Sequence, residues 1–248
     1  MTFNEKDFVL DNVNLDITRG KTTVIIGFSG AGKSVLLKLI LGLFKPTSGS
    51  IKVFGQEITS MTETELLKMR RHYGMVFQDS ALFDDFTALE NVIFPMNEHR
   101  LDLTRTEMLV IAKEHLKEVG LEEIDYNKLP SELSGGMRKR VGVARALALD
   151  PEILIYDEPT TGLDPILREM VDNLIIETEK RKLETTSLIV SHDLFSAFEM
   201  ADHVAMLDKG KIILAGPPRD FLTSKIEIIQ KFVSKGMHIN KHIKDGTE

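Results

Sequence analysis

The chain has 248 residues, no cysteine and a formal charge of −7, with 42% hydrophobic and 28% charged residues. That length and balance suit one globular domain, or a domain with a subdomain, and leave ample core. The acidic balance without a basic tract argues against nucleic acid as a partner. The lack of cysteine excludes a disulfide framework and a thiolate metal site.

The opening MTFNEKDFVL is acidic and polar, unlike a secretory signal. TTVIIG, from Thr22 to Gly27, is apolar and β-branched and predicts a buried strand. SGAGKSVLLKLILGLF then reads as a glycine turn opening into an apolar helix; this stretch is too short, and carries Lys38 within it, for a membrane span. GSIKVFGQEI alternates like a strand. TETELLKMRRHY reads as a helix, acidic first and basic last, as the helix dipole favours. GMVFQ, Gly74 to Gln78, predicts a short strand. From about 80 to 150 helical patterns dominate, which predicts a helical subdomain inserted in an α/β core. Strands resume at EILIYDE and TSLIVSH, and HVAMLDKGKIILAG predicts two strands about a Lys209–Gly210 turn. Residues 236–248 are polar and read as a flexible tail. Buried strands alternating with helices imply a mostly parallel sheet covered on both faces, with ligands beyond the carboxyl ends of its strands.

GFSGAGKS, Gly27 to Ser34, fits the G-x-x-x-x-G-K-[ST] phosphate loop in full. Gly27, Gly30 and Gly32 let the backbone turn its N–H groups toward a polyphosphate, and the following helix adds its positive end. Lys33 is expected to reach the β- and γ-phosphates, and the Ser34 hydroxyl to ligate Mg²⁺. With Phe28, Ser29, Ala31 and Val35 these residues make up the expected ATP-binding stretch. EILIYDEP ends an apolar strand in two acids: Asp157 is expected to hold Mg²⁺, and Glu158 to act as general base toward water. His192 closes TSLIVSH and is expected at the γ-phosphate; Gln78 closes GMVFQ where the helical region begins. A second anion-binding pattern, SELSGGMRKR, has no lysine where a phosphate loop would place one.

Together these parts resemble the ATP-binding cassette family. LSGGM, comprising Leu133, Ser134, Gly135, Gly136 and Met137, matches its signature motif, with methionine in place of the usual glutamine; TGLDP, with Asp164, matches its D-loop, Gln78 its Q-loop and His192 its switch histidine. The resemblance implies a P-loop NTPase with a RecA-like core of mostly parallel sheet, an antiparallel β portion and the inserted helical subdomain, the whole chain being one ATP-binding domain. It implies ATP and Mg²⁺ as cofactors, with Ser34, Gln78 and Asp157 as metal ligands and Glu158, His192 and Gln78 as catalytic residues. It also explains the second cradle. In the family two copies pair head to tail, so that Leu133 to Met137 with Asp164 are expected to face the partner's ATP. The family's adenine-stacking aromatic falls on Phe3 or Phe8, and its first strand is expected to be shortened.

FQDSALFDDFTALENVIFPMNEH, with GKSVLLKLILGL and LSGGMRKR, resembles the ATPases of Mla/Mce-type lipid transporters. That resemblance implies phospholipid movement between inner and outer membrane, a peripheral position on the cytoplasmic face of the inner membrane and separate permease subunits. An MCE lipid-binding protein belongs to the same set, and a STAS-domain regulator accompanies some relatives. The alternatives are the ATPase of a polar amino-acid importer, a non-transport cassette protein and a P-loop small-molecule kinase; the kinase needs neither LSGG nor the glutamate after Asp157.

Overall fold

The structure, a computed structural model, describes residues 2–4, 7–100, 102–181 and 184–234. In chain order the strands are β1 (Thr2–Asn4), β2 (Asp7–Phe8), β3 (Thr22–Ile26), β4 (Lys52–Val53), β5 (Gln56–Glu57), β6 (Tyr73–Val76), β7 (Ile153–Asp157), β8 (Thr186–Ser191), β9 (His203–Asp208) and β10 (Lys211–Gly216). The helices are α1 (Lys33–Ile40), α2 (Glu63–Arg70), α3 (Ala88–His99), α4 (Arg105–Glu118), α5 (Gly135–Leu147), α6 (Pro165–Arg181), α7 (Leu194–Met200) and α8 (Pro218–Leu222), with a further helical stretch over 227–234. The chain forms two compact units, Met1–Met61 with Leu188–Glu248, and Thr62–Ser187. The predicted tail, 236–248, lies outside the described residues.

In the first unit β3 pairs in parallel with β9, and β10 pairs antiparallel with β9. Val24, Ile25 and Ile26 are wholly buried, as are Val204 to Leu207 on β9. Strands covered on both faces read as continuous apolar runs rather than alternating ones, which is why TTVIIG is legible as a strand. The β9–β10 connection is a two-residue turn with φ 45° at Lys209 and 76° at Gly210, the primed geometry that matches strand twist. GSIKVFGQEI does not form the single strand that its alternation predicts. Phe54 and Gly55 both take positive φ, 51° and 76°, and fold it into the short antiparallel hairpin of β4 and β5.

In the second unit β6 and β7 pair in parallel, with α5 packed on β6. The strand ends at Val76 rather than at Gln78. Between Gln78 and Asp150 the described residues hold helices and two 3₁₀ turns and no strand. Here α3, α4 and α5 pack pairwise. Val92, Ile93 and Met96 of α3, Ala112 and Leu116 of α4, and Val141 and Ala144 of α5 are all sealed from solvent. Truncating Leu116 to alanine would cost about 2–5 kcal/mol through lost transfer energy and the cavity left behind. Each of α2, α3 and α4 starts with a reciprocal capping box: Thr62 with Glu65, Thr87 with Glu90, Thr104 with Glu107. In each the threonine satisfies the amide of the glutamate and the glutamate returns to the threonine amide, so two otherwise orphaned donors are paired.

Candidate functional site

The phosphate loop hangs between the end of β3 and the start of α1. Gly27 must be glycine because a Cβ there would collide with the carbonyl of Leu207 on β9. Gly30 and Gly32 take left-handed backbone, φ 79° and 107°, and a Cβ on Gly32 would sit 2.8 Å from Leu10 Cδ2. Lys33 is buried, and its ammonium donates to the carbonyls of Gly27 (2.9 Å) and Phe28 (3.3 Å), folding its charge back over the loop. Ala31 N donates to Phe28 O at 3.1 Å, while Ala31 O accepts from Gly210 N at the same distance, so the β9–β10 turn braces the loop. The Phe28 ring packs edge-on against Phe232, centroids 5.1 Å apart. Ser34 is exposed. His192, in the same unit, directly follows β8 and is exposed. The side chains of Phe3 and Phe8 lie outside the described residues.

In the second unit, Asp157 is the last residue of β7 and Glu158 follows it with φ 46°. A non-glycine residue in left-handed backbone is held there by its surroundings, at a cost of about 1–3 kcal/mol. Thr161 supplies part of that hold: its hydroxyl donates to Glu158 Oε2 at 2.9 Å, and its amide to the Glu158 carbonyl at 3.2 Å. Asp164 caps α6, its Oδ1 accepting from the amides of Ile166 and Leu167, both at 3.0 Å. Gln78 stands exposed in the turn after β6.

The signature stretch opens α5. Ser134 is its N-cap, accepting from Met137 N at 3.2 Å, and Ser134 is exposed while Leu133 is buried. Gly136 is buried against α6, where a Cβ would meet Leu167 Cδ2 at 2.9 Å. The stretch therefore presents a helix N-terminus whose first turn carries no acid. Such an end favours an anion.

The residues fit the groups that the sequence implies. Gly30 and Gly32 shape a backbone cradle with the positive end of α1 and the Lys33 cation beside it, which suits a polyphosphate. Ser34 in the first unit, and Gln78 and Asp157 in the second, each carry an oxygen of the kind that Mg²⁺ takes as a ligand. Among the described residues there is no cluster of three or more His, Asp or Glu that would form a metal cage by itself. Sequence reasoning placed Thr161 in the D-loop stretch but missed its hold on Glu158, and it missed Phe232 and the α5 cations Lys139 and Arg145. Thr161 was within reach, three residues past Glu158; the others act over long sequence distances and left no local signal.

The chain belongs to the ABC transporter family, whose pattern matches residues 10–161. It is 39% identical over 226 residues to a probable ribonucleotide transport ATP-binding protein, mkl, of Mycobacterium leprae, covering 91% of this chain and 64% of that protein; it thus spans a little under two thirds of the length of that mycobacterial relative. It is 40% identical to the intermembrane phospholipid transport ATP-binding protein MlaF of Haemophilus influenzae, over 93% of this chain and 87% of the relative. It is also 40% identical to a methionine import ATP-binding protein, MetN 2, of Bacillus cereus, over 94% and 68%. Among solved structures it is similar to the dimeric post-hydrolysis state of the cassette MJ0796 bound to ADP and Pi, with TM-score 0.79 and 35% identity over 88% of this chain and 95% of that one. Among the described residues no helix is long and apolar enough to cross a membrane.

Proposed function

We propose that this chain binds and hydrolyses ATP as the energising subunit of a transporter whose membrane pathway lies on other chains, and that the cargo is phospholipid. The observation that carries the ATPase reading is the braced phosphate loop with Lys33 folded over it. Lys33 and the loop amides bind the phosphates. Ser34, Gln78 and Asp157 carry the oxygens for Mg²⁺, which when bound offsets phosphate charge. Glu158, poised by Thr161, takes a proton from the attacking water, and His192 contacts the γ-phosphate. Ser134, Gly135 and Gly136, with Asp164, serve the nucleotide of a second copy. Binding of ATP between two copies then favours the paired state over the separate one. The single-domain boundary of 1–248 belongs to the same proposal.

In this reading the region from Ala81 to His99 docks a permease helix, and its half-exposed aromatic cluster supports that assignment. Phe83 lies 4.6 Å from Phe94 and 5.2 Å from Phe86, centroid to centroid, and is 42% exposed. The buried Asn91 holds this segment by accepting from Phe83 N at 2.9 Å and donating to the carbonyls of Phe83, Phe86 and Thr87. Phospholipid is supported by the sequence from Phe77 to His99, by the methionine signature and by the similarity to MlaF. Under this reading the chain is peripheral on the cytoplasmic face of the inner membrane and works with an MCE protein, and with a STAS-domain regulator of the kind that accompanies some relatives. The equal similarity to MetN 2 favours a second reading, amino-acid import. Purifying the chain with its permease into vesicles and measuring ATP-driven movement of labelled phospholipid against labelled methionine separates the two. Phe83→Asp should abolish permease capture without altering nucleotide affinity; undiminished capture would place the docking surface elsewhere.

A further inference from the structure

The turn that follows Gln78 is gripped by cations from the signature helix. Ser80 and Ala81 both lie in left-handed backbone, φ 62° and 45°, although neither is glycine. The carbonyls of this turn point at α5. Lys139 Nζ donates to the carbonyl of Gln78 itself. Arg145 donates through its two terminal guanidinium nitrogens, Nη1 to Ala81 O and Nη2 to Ser80 O, each at 2.7 Å. Gly142, midway between them, lies against Ser80, to whose Cβ an added methyl would stand at 3.4 Å. Lys139, Gly142 and Arg145 recur every three residues and so follow one ridge of the helix.

Lys139 is only 5% exposed. Burying an ammonium is costly, and a leucine or methionine would fill the same volume without that cost. Burial accordingly pulls the Lys139 pKa down, with the charge of Asp79 opposing. A packing role alone therefore accounts poorly for a cation here; the Gln78 carbonyl that it holds accounts for it better.

We propose that Lys139 and Arg145 are positioning residues: they fix the turn at 78–81 from the signature helix, so that the placing of Gln78 depends on α5. The helix whose N-terminus serves a partner's nucleotide thereby also sets a metal-facing residue of its own chain. This rests on the reading of Gln78 given above, and the test separates the two.

Amide exchange in the full chain reads the turn directly, without activity. Lys139→Met should speed exchange at residues 78–82 by about tenfold or more, with α4 unchanged, while Lys139→Arg, which keeps a donor, stays within about threefold of the parent. Steady-state hydrolysis should fall about tenfold in Lys139→Met with ATP affinity in EDTA nearly unchanged, and Lys139→Met should add no further loss in a Gln78→Ala background. Unchanged exchange at 78–82 overturns the proposal, and so does a full additional loss on top of Gln78→Ala. If exchange rises as expected but Gln78→Ala hydrolyses ATP at the parent rate, the reading of Gln78 fails and the grip on the turn stands. Should Lys139→Met not fold, Arg145→Lys, which removes one of two carbonyl contacts, gives the same exchange readout with the same deciding outcomes.

Discussion

The amide of Gly210 donates to the carbonyl of Ala31 at 3.1 Å, tying the tip of the β9–β10 turn to the middle of the phosphate loop. Gly210 is also pressed against the chain at its other side, where a Cβ would collide with the carbonyl of Val9. Gly210→Ala should therefore lower stability by about 1–3 kcal/mol from the left-handed backbone alone, and more from the collision. Nucleotide affinity should fall with it because the brace moves. Urea unfolding and equilibrium nucleotide binding on the same sample check this; an unaltered midpoint would mean that the turn relaxes without cost.

Lys33 and Glu158 separate binding from chemistry. Lys33→Ala should remove ATP binding, since the loop loses its one full cation. Glu158→Gln should keep binding and lose steady-state hydrolysis by about 10²–10⁴-fold, as the amide keeps the shape but cannot accept a proton. It should also accumulate a nucleotide-bound dimer, visible by light scattering. Near-normal turnover would assign water activation to another group.

The signature assignment to a second copy predicts complementation. Ser134→Arg should bind ATP as the parent does when alone and fail to pair. Because Ser134 also caps α5, Ser134→Ala controls for the lost cap, worth about 0.5–2 kcal/mol. Mixing Ser134→Arg with Lys33→Ala makes one composite site with an intact loop and an intact signature. ATP-dependent pairing should return in part in the mixture, although each variant fails by itself. A signature serving its own chain's nucleotide predicts no recovery.

Acid should loosen the helices of the second unit in a defined direction. The carboxylates of Glu65, Glu90 and Glu107 are held below the usual glutamate range, first by the threonine amides that they accept from, at 2.8, 2.8 and 2.7 Å, and then by the threonine hydroxyls. A carboxylate with a lowered folded pKa stabilises the fold above its unfolded value, roughly 4.3, and that contribution is lost as pH falls through the folded value. The triple variant with glutamine at the three positions should lose less of its urea midpoint between pH 6 and about pH 3 than the parent loses. An identical loss would assign the acid sensitivity to other carboxylates.

The phosphate loop, the acid pair and the signature were legible because each is a local statement. Glycine spacing, a strand ending in two acids, or a serine before two glycines specifies its own backbone wherever the segment lands. The three T-x-x-E caps are local in the same sense, each joining residues three apart, although only the structure brought them out. Alternation misled at GSIKVFGQEI, because positive φ at Phe54 and Gly55 turns the chain where side-chain pattern has no voice.

What tertiary structure alone decided is how those local pieces are held. Gly27 looks like any loop glycine until Leu207 brings a carbonyl against it. Phe28 meets Phe232, and Lys139 reaches the carbonyl of Gln78, 61 residues away. Hydrogen bonds and close contacts of this kind depend on which segments the sheet and helices bring side by side. No window of sequence contains both partners, so composition and period report the motifs and the fold alone reports their supports.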